Sequence, residues 1–155
     1  MLNICGAELR DAERITRLLV AVAEEFVVHE FSAVGRAHLL SDMSMARVQQ
    51  RLAGPYRFYL AEAGEALVGV AAVREPDHLY YLFVAKPFHR SGVARALWSR
   101  VMREHLAIPL GPERMTVNAS NYAVVAYERL GFRRCGPQAE AMGVLYNPME
   151  YLVDR

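Results

Sequence analysis

The nine residues from Asp77 to Ala85, DHLYYLFVA, place the strongest constraint on how this chain folds. Apolar side chains occupy both the odd and the even positions of the segment, so both faces of the strand that it predicts would be buried. Such a strand lies in the middle of a sheet. A helical pattern follows shortly after it, because ARALWSRVMREHL places Leu97 and Val101 on one side. We therefore expect a central strand that leads through a short loop into a helix.

The remaining pattern predicts helices in the first third of the chain and alternating strands and helices after it. Residues 11–26 have helical spacing, and a second helical region over residues 34–52 is broken near Ser41 to Ser44, where Ser44 is a candidate N-cap. The later elements are two strands around a turn at Gly64, the central strand, the helix after it, a short strand MTVN, a helix over residues 121–130 that Gly131 ends, and one or two closing strands. No repeat or linker indicates a second domain, so the sequence predicts one α+β domain over residues 1–155 in the order helices, then β-β-β-α-β-α-β.

The composition excludes several classes of function. The chain has 155 residues with 18 Lys and Arg against 17 Asp and Glu, a formal net charge of +1, and no basic field that would attract nucleic acid. No run approaches the ~20 apolar residues that span a bilayer, and the start lacks the basic and apolar regions of a signal peptide, so we expect a cytoplasmic protein without a membrane partner. The five histidines lack metal-ligand spacing and there is no GxSxG motif, which argues against a metal site and a serine hydrolase.

The loop between the central strand and its helix, HRSGVARAL over residues 89–97, has the features of an anion site. The first amides of a helix have no intrahelical partner, and together with the helix dipole they attract anions. Gly92 and Ala94 would let the backbone approach a phosphate closely, and Arg90 and Arg95 would neutralise its charge. A second reading of the same residues is that Gly92 only permits a tight turn and that the two arginines are solvated.

The residues around this loop resemble the signature of the GNAT superfamily of N-acetyltransferases, V-x₄-[Q/R]-x-x-G-x-[G/A], with Val84, His89, Gly92 and Ala94 at the defined positions. The resemblance implies that the loop amides hold the pyrophosphate of acetyl-CoA and that the preceding strand pairs with the pantetheine arm. His89 stands where the family has Gln or Arg; it can still donate to a phosphate oxygen, with a pH dependence that Arg lacks. The cofactor-binding residues that the resemblance implies are Leu82, Phe83, Val84, His89, Arg90, Ser91, Gly92, Val93, Ala94, Arg95, Asn118, Ser120 and Tyr127.

A second segment resembles the family's other coenzyme A contact, N-x-x-A-x-x-x-Y-x-x-x-G-F. It runs from Asn118 to Phe132, with Ser120 in a slot where Asn is commoner and Tyr127 four residues before Gly131. Read as part of the family, Tyr127 is the general acid for the departing thiolate of coenzyme A, since a phenol stays protonated at neutral pH. Read without the family, Tyr127 is a packing aromatic on an amphipathic helix.

The resemblance also implies a fold and a reaction. The fold is a twisted, mostly antiparallel sheet of six to seven strands, splayed at the acetyl-CoA site and flanked by about four helices. In the reaction, a primary amine of a small molecule or a peptide attacks the thioester within a ternary complex, and the backbone N–H of Phe83 or Val84 stabilises the oxyanion. A homodimer is the family-level expectation. A GNAT-like module that binds coenzyme A without turnover is the alternative function.

Three further side chains are candidates on the acceptor side. His78 is six residues before Val84, where some histone-acetylating relatives carry a catalytic Glu, and it is either the general base or a surface histidine at the start of a strand. Tyr80 and Tyr81 either line the acceptor channel or belong to the core.

Overall fold

One eight-stranded sheet organises the computed structural model, which describes residues 1–154. The strands follow the order β1-β2-β3-β4-β5-β8-β6, and β7 pairs with β8 off this path. All neighbours are antiparallel except β4 and β5, which are parallel. The strands are β1 Leu2–Gly6, β2 Tyr56–Ala63, β3 Ala66–Arg74, β4 His78–Val84, β5 Arg114–Ala119, β6 Arg133–Arg134, β7 Ala139–Ala141 and β8 Val144–Leu152.

Helices cover both faces of this sheet. They are α1 Ala12–Val22, α2 Ala33–Asp42, α3 Met45–Leu52, α4 Val93–Val101 and α5 Val124–Leu130. Side chains of α1 and α3 pack on one face in a group that we call the front cluster, which includes Ile15, Leu19, Val48, Leu60, Val70 and Tyr81. Side chains of α4 and α5 pack on the opposite face in the back cluster, which includes Leu97, Trp98, Met115, Val117, Tyr127 and Met149. None of the helices within residues 1–154 has the length and apolar character needed to cross a bilayer.

The architecture confirms the mixed, mostly antiparallel fold and adjusts its details. Residues 1–154 form eight strands and five α-helices, where six to seven strands and about four helices were expected. The additional strands are short: β6 has two residues and β7 three. The expected break in the second helical region is confirmed, because Ser44 is the N-cap of α3 and its hydroxyl accepts the Arg47 amide at 3.3 Å. The strand β1 was not expected, since five residues give little alternation to detect.

The parallel pair β4 and β5 is joined over a very short length. His78 is opposite Thr116 and Leu79 is opposite Val117, and the described chain has no further pairing between the two strands. Beyond these residues β4 continues to Val84 beside β3 alone. The sheet therefore opens into a gap between β4 and β5, which we call the cleft.

An irregularity in β4 coincides with the start of the cleft. The register between β3 and β4 shifts where Val73 is opposite Leu79 and Ala72 is opposite Tyr81, so Tyr80 has no opposite residue. A bulge of this kind bends the strand and increases its twist. The bulge at Tyr80 thus accounts for the divergence of β4 from β5.

The helix α2 rests directly on the turn between β7 and β8. A Cβ atom placed on Gly35 would lie 1.9 Å from the carbonyl oxygen of Gly143, so no side chain fits between the two backbones. The Ser32 hydroxyl caps this helix by accepting the Gly35 amide at 3.1 Å. The contact joins the first half of the chain to the last hairpin on the front side of the sheet.

Candidate active site

The turn that follows β4 is shaped by two residues in the left-handed region. Arg90 has φ of +62° and Gly92 has φ of +87°, and Gly92 is the N-cap of α4. The first bond within this helix runs from the Ala96 amide to the Gly92 carbonyl at 3.0 Å. The amides of Val93 and the residues next to it therefore have no partner in the helix and face outward at its positive end.

This turn has room for an anion. A Cβ atom built on Gly92 would meet nothing within 4 Å, so the space over the turn is open. Arg90 and Arg95 are both exposed beside it. Arg95 donates one hydrogen bond to the Arg129 carbonyl at 3.2 Å, which fixes its guanidinium near the end of α5 while other donors stay available. The residues predicted from the glycine loop are thus brought together with the chemistry of a phosphate site.

Both ring nitrogens of His89 contact protein atoms in the structure. Its Nε2 is 2.7 Å from the Val84 carbonyl oxygen, and its Nδ1 is 3.2 Å from the Tyr122 hydroxyl. Because a carbonyl only accepts, Nε2 carries the proton and Nδ1 accepts from Tyr122. Both ring nitrogens are occupied by protein atoms, so His89 braces the loop against the end of β4.

The edge of β4 along the cleft offers unpaired backbone groups. The Ala85 amide donates to the Val68 carbonyl of β3 at 2.8 Å. Since amides alternate in direction along a strand, the amide of Phe83 also points to β3, and those of Leu82 and Val84 point into the cleft. Of the two oxyanion donors expected from the sequence, Val84 is the one whose N–H faces the cleft.

Tyr127 lies on α5 within the back cluster, the same cluster against which Leu82 and Val84 pack. The residue is 7% exposed, and its ring makes an edge contact with Phe132 at 5.4 Å between centroids. Burial raises the pKa of the phenol above its ordinary value. In the part of the chain that the structure describes, the Tyr127 hydroxyl makes no hydrogen bond, and its oxygen is not among the fully buried polar atoms that lack a partner.

The segment before α5 holds one side of the cleft in place. Ser120 caps the turn at the start of this segment by accepting the Ala123 amide at 3.3 Å, and Asn118 is exposed on β5. Asn121, which stands one place from the family's usual Asn, accepts a hydrogen bond from the buried Asn147 at 2.8 Å and donates to Glu30. These amide contacts tie β8 and the region after α1 to the cleft.

An aromatic contact that the sequence did not reveal joins the segments that follow β4 and β5. Phe26, just after α1, stacks on Tyr122 at 4.8 Å and lies 5.0 Å from the ring of His89. Nearby, Lys86 pairs with Glu25 at 2.6 Å. No sequence signal connects residues so far apart, because each of them alone is compatible with an ordinary surface or core position.

The two tyrosines of β4 have different surroundings. Tyr81 is 3% exposed and packs within the front cluster, as the second of its two interpretations, a core residue, predicted. Tyr80 is half-buried at the start of the cleft, and its hydroxyl donates to Asp42 at 2.9 Å. Arg51 joins both tyrosines and Asp42, and neither Asp42 nor Arg51 was singled out from the sequence.

His78 lies at the closed end of the cleft, where β4 and β5 are still paired. Its Nδ1 is 2.8 Å from the Thr116 hydroxyl, which is also 3.3 Å from the Asp77 carbonyl oxygen. Since the carbonyl accepts from Thr116, Nδ1 of His78 donates and Nε2 keeps its lone pair. Burial, with a smaller contribution from Arg74, lowers the pKa of His78 from 6.5 to about 4. The ring is therefore neutral at physiological pH.

The lowered pKa of His78 makes stability depend on pH in a predictable direction. Between about pH 6.5 and pH 4 the unfolded ring binds a proton and the folded ring does not, so the free energy of unfolding should decrease as the pH falls through this window. His78→Gln, which keeps a donor for Thr116, should reduce this decrease. Urea unfolding of both proteins at about pH 7 and about pH 5 measures it. Equal pH slopes would show that His78 is freely protonated in the folded state.

A cavity lies beside the site without including its loop residues. A cavity of about 550 Å³ lies between α1, the β2–β3 turn and the residues after β4, with Phe26, Leu67, Lys86 and Pro87 in its wall, but none of residues 89–95 lines it. Within residues 1–154 there is no group of three or more His, Cys, Asp or Glu side chains that could hold a metal ion.

The sequence over residues 27–153 matches the family model described as an acetyltransferase (GNAT) domain. The chain belongs to the GNAT acetyltransferase family. The resemblance noted in the two motifs is thereby confirmed, and so is the fold, because many solved GNAT structures share it. A comparison of this GNAT protein with the curated proteins gave no match.

Three solved structures illustrate the likeness. A GCN5-related N-acetyltransferase from Rhodopseudomonas palustris has a TM-score of 0.83 at 21% identity, with 97% of this chain and 95% of the other covered. The PaiA N-acetyltransferase from Thermoplasma acidophilum, solved in complex with coenzyme A, has a TM-score of 0.77 at 12% identity, with 99% of each chain covered. A GNAT acetyltransferase from Staphylococcus aureus has a TM-score of 0.72 at 15% identity, with 99% of this chain and 100% of the other covered.

Proposed function

We propose that this GNAT protein transfers the acetyl group of acetyl-CoA to a primary amine of a small molecule or a peptide, with both substrates bound in one complex. The observation that carries the proposal is the cleft itself. The unpaired edge of β4 leads directly to the open turn at Gly92, and the unbonded hydroxyl of Tyr127 belongs to the cluster that backs the same strand. The PaiA relative with coenzyme A bound has the same fold, which supports this choice of donor.

The donor would be held by backbone more than by side chains. The amides after Gly92 and the guanidinium of Arg90 fit the pyrophosphate, since they combine unpaired N–H groups with positive charge. The Leu82 and Val84 amides fit a pantetheine arm that adds to the edge of β4 as a strand would. Asn118 and the Ser120 hydroxyl line the opposite side of the cleft, where they can contact the same arm.

The chemical step needs an oxyanion donor and a donor to the departing thiolate. The Val84 amide supplies the first, because a preorganised N–H in a half-buried cleft stabilises a developing oxyanion. Tyr127 supplies the second. Burial raises the pKa of Tyr127, so the phenol stays protonated and acts by donating a hydrogen bond to sulfur as its charge develops.

The acceptor amine must be neutral when it attacks. An ordinary primary amine has a pKa near ~10.4 and is mostly protonated at neutral pH. His78 offers the lone pair of Nε2 at the closed end of the cleft, and its low pKa makes it a weak base that accepts a proton only as attack proceeds. We therefore assign His78 to the acceptor side and expect the amine's own ionisation to dominate the pH profile of the rate.

A screen for release of the coenzyme A thiol tests the proposal. Acetyl-CoA would be incubated with the protein and a panel containing 2-phenylethylamine, spermidine, L-lysine and a peptide with a free N-terminus, and thiol would be followed with a chromogenic disulfide. Release that depends on both the amine and the protein supports acetyl transfer. Tight binding of coenzyme A by calorimetry without release across the panel would instead favour a coenzyme A-binding module.

A further inference from the structure

We propose that Asp42 and Arg51 are positioning residues for the amine acceptor, and that they act by fixing the hydroxyl of Tyr80 so that its oxygen accepts a hydrogen bond from the amine. This inference rests on the proposed function and goes beyond it, because it assigns the recognition of the acceptor to a network between α2, α3 and β4. The network lies on the front side of the sheet, opposite the cluster that contains Tyr127.

The network is closely bonded. The Tyr80 hydroxyl donates to one carboxylate oxygen of Asp42 at 2.9 Å, and Arg51 binds the other carboxylate oxygen. Arg51 also donates to the Asp42 carbonyl at 2.5 Å and to the Tyr81 hydroxyl at 2.9 Å. The Cζ atom of Arg51 lies 4.8 Å from the centre of the Tyr80 ring, within range of a cation–π contact.

The position of Tyr80 connects the network to the cleft. Tyr80 is the bulged residue of β4, and it comes directly after the last residue of β4 that pairs with β5. Its ring is 6.4 Å from the ring of His78, the side chain at the closed end of the cleft. A contact made by Tyr80 is therefore made where β4 leaves β5 and an acceptor could approach.

The partners of Tyr80 decide which hydrogen bond it can offer. A phenol has one proton and can also accept at its oxygen. The Tyr80 hydroxyl uses its one proton in the hydrogen bond to Asp42. Its oxygen can therefore only accept a further hydrogen bond, and an amine N–H is the complementary donor. Asp42 and Arg51 neutralise each other, with side chains 24% and 11% exposed, so the network selects through hydrogen-bond direction and shape rather than through net charge. The acceptor class that fits is a primary amine carried on an uncharged or aromatic body.

The experiment compares variants at Asp42 and Tyr80 in the full-length protein, with the most active amine of the panel as the probe. Asp42→Ala frees the phenol proton and should raise KM for the amine about 10-fold or lower kcat/KM by as much, while the Kd for coenzyme A stays within about 2-fold. Asp42→Asn keeps an oxygen that accepts from Tyr80 and should restore most of the loss. Tyr80→Phe should match Asp42→Ala, and the double variant should be no worse than either single one. Glu13→Ala, which breaks the exposed pair with Arg17 on α1, is the control.

Several results would overturn the inference. Additive losses at Asp42 and Tyr80, or an unchanged amine KM in Tyr80→Phe, would show that the phenol does not serve the acceptor. If Asp42→Ala does not fold, Asp42→Asn and Tyr80→Phe still give this comparison. Should the wild type release no thiol with any amine, the proposed function fails separately. The inference is then judged by NMR of ¹³C-tyrosine protein saturated with coenzyme A, with the Tyr80 signals assigned by their absence in Tyr80→Phe. Added 2-phenylethylamine must shift these signals in the wild type, and unchanged Tyr80 signals would overturn the inference.

Discussion

Replacing Gly92 with Glu should lower the affinity for coenzyme A by about 100-fold or more, the largest loss of binding that we expect from one substitution. Gly92 is the N-cap of α4 in a left-handed conformation, and the space where its Cβ would lie is open. A glutamate there adds an anion at the position where the free amides of α4 attract the pyrophosphate. Isothermal titration calorimetry with coenzyme A measures the change.

Two matched variants separate charge from backbone strain in this experiment. Gly64 is also left-handed, with φ of +62° and nothing within 4 Å of a built Cβ, but it lies in the β2–β3 turn. Gly64→Glu should therefore cost similar stability and leave the Kd for coenzyme A unchanged. Gly92→Ala introduces strain of roughly 1 kcal/mol without charge and should weaken binding much less than glutamate does. Equal affinities of Gly92→Glu and the wild type would remove this turn from the donor site.

Replacing Tyr127 with Phe should lower kcat by roughly 100-fold while the Kd for coenzyme A changes little, because a positioned donor to the leaving group contributes at least this much. Phenylalanine keeps the ring that packs against Phe132, and the lost hydroxyl has no hydrogen-bond partner within the described residues. The melting temperature should thus be unchanged or slightly higher. Steady-state thiol release, calorimetry and thermal unfolding measure the three quantities.

A second tyrosine provides the opposite pattern as a control. The Tyr59 hydroxyl is 2.8 Å from Nε2 of the buried His105 and 3.1 Å from Glu104, on the back side and away from the cleft. Tyr59→Phe should reduce stability and preserve kcat. If Tyr127→Phe keeps a normal rate in a single turnover as well as in the steady state, Tyr127 is a packing residue and the thiolate is protonated by water.

The features that could be predicted from the sequence are those that a few neighbouring residues determine. The left-handed Gly131 after α5, with φ of +106°, and the capping Ser44 follow from a few neighbouring residues. The glycine turn at Gly92 does as well, because a strand, a glycine and a helix in succession determine its geometry locally. The strand, turn and helix that carry the first motif were therefore predictable, whereas the roles of the motif residues stay predictions.

The features that the sequence did not predict depend on contacts between distant segments. Asp42 and Tyr80 are 38 positions apart, and their bond exists only because α2 ends over the bulge in β4. The bulge is itself set by a register shift against β3, which no local pattern of residues 78–84 announces. The contact at Nδ1 of His89 was not predicted for the same reason, since Tyr122 reaches this nitrogen from 33 positions away.

The backbone contact between Gly35 and Gly143 also bears on how this protein can evolve. Because α2 is seated by main-chain atoms, its outward side chains do not hold it in place. Val34 is 67% exposed and Met142 in the facing turn is 65% exposed, and His38 is exposed as well. Substitutions at Val34 and His38 should therefore alter the chemistry of the front surface without shifting the helix. Divergent copies of this protein are thus expected to vary at Val34 and His38, whereas a side chain at Gly35 or Gly143 would push the two backbones apart and displace α2.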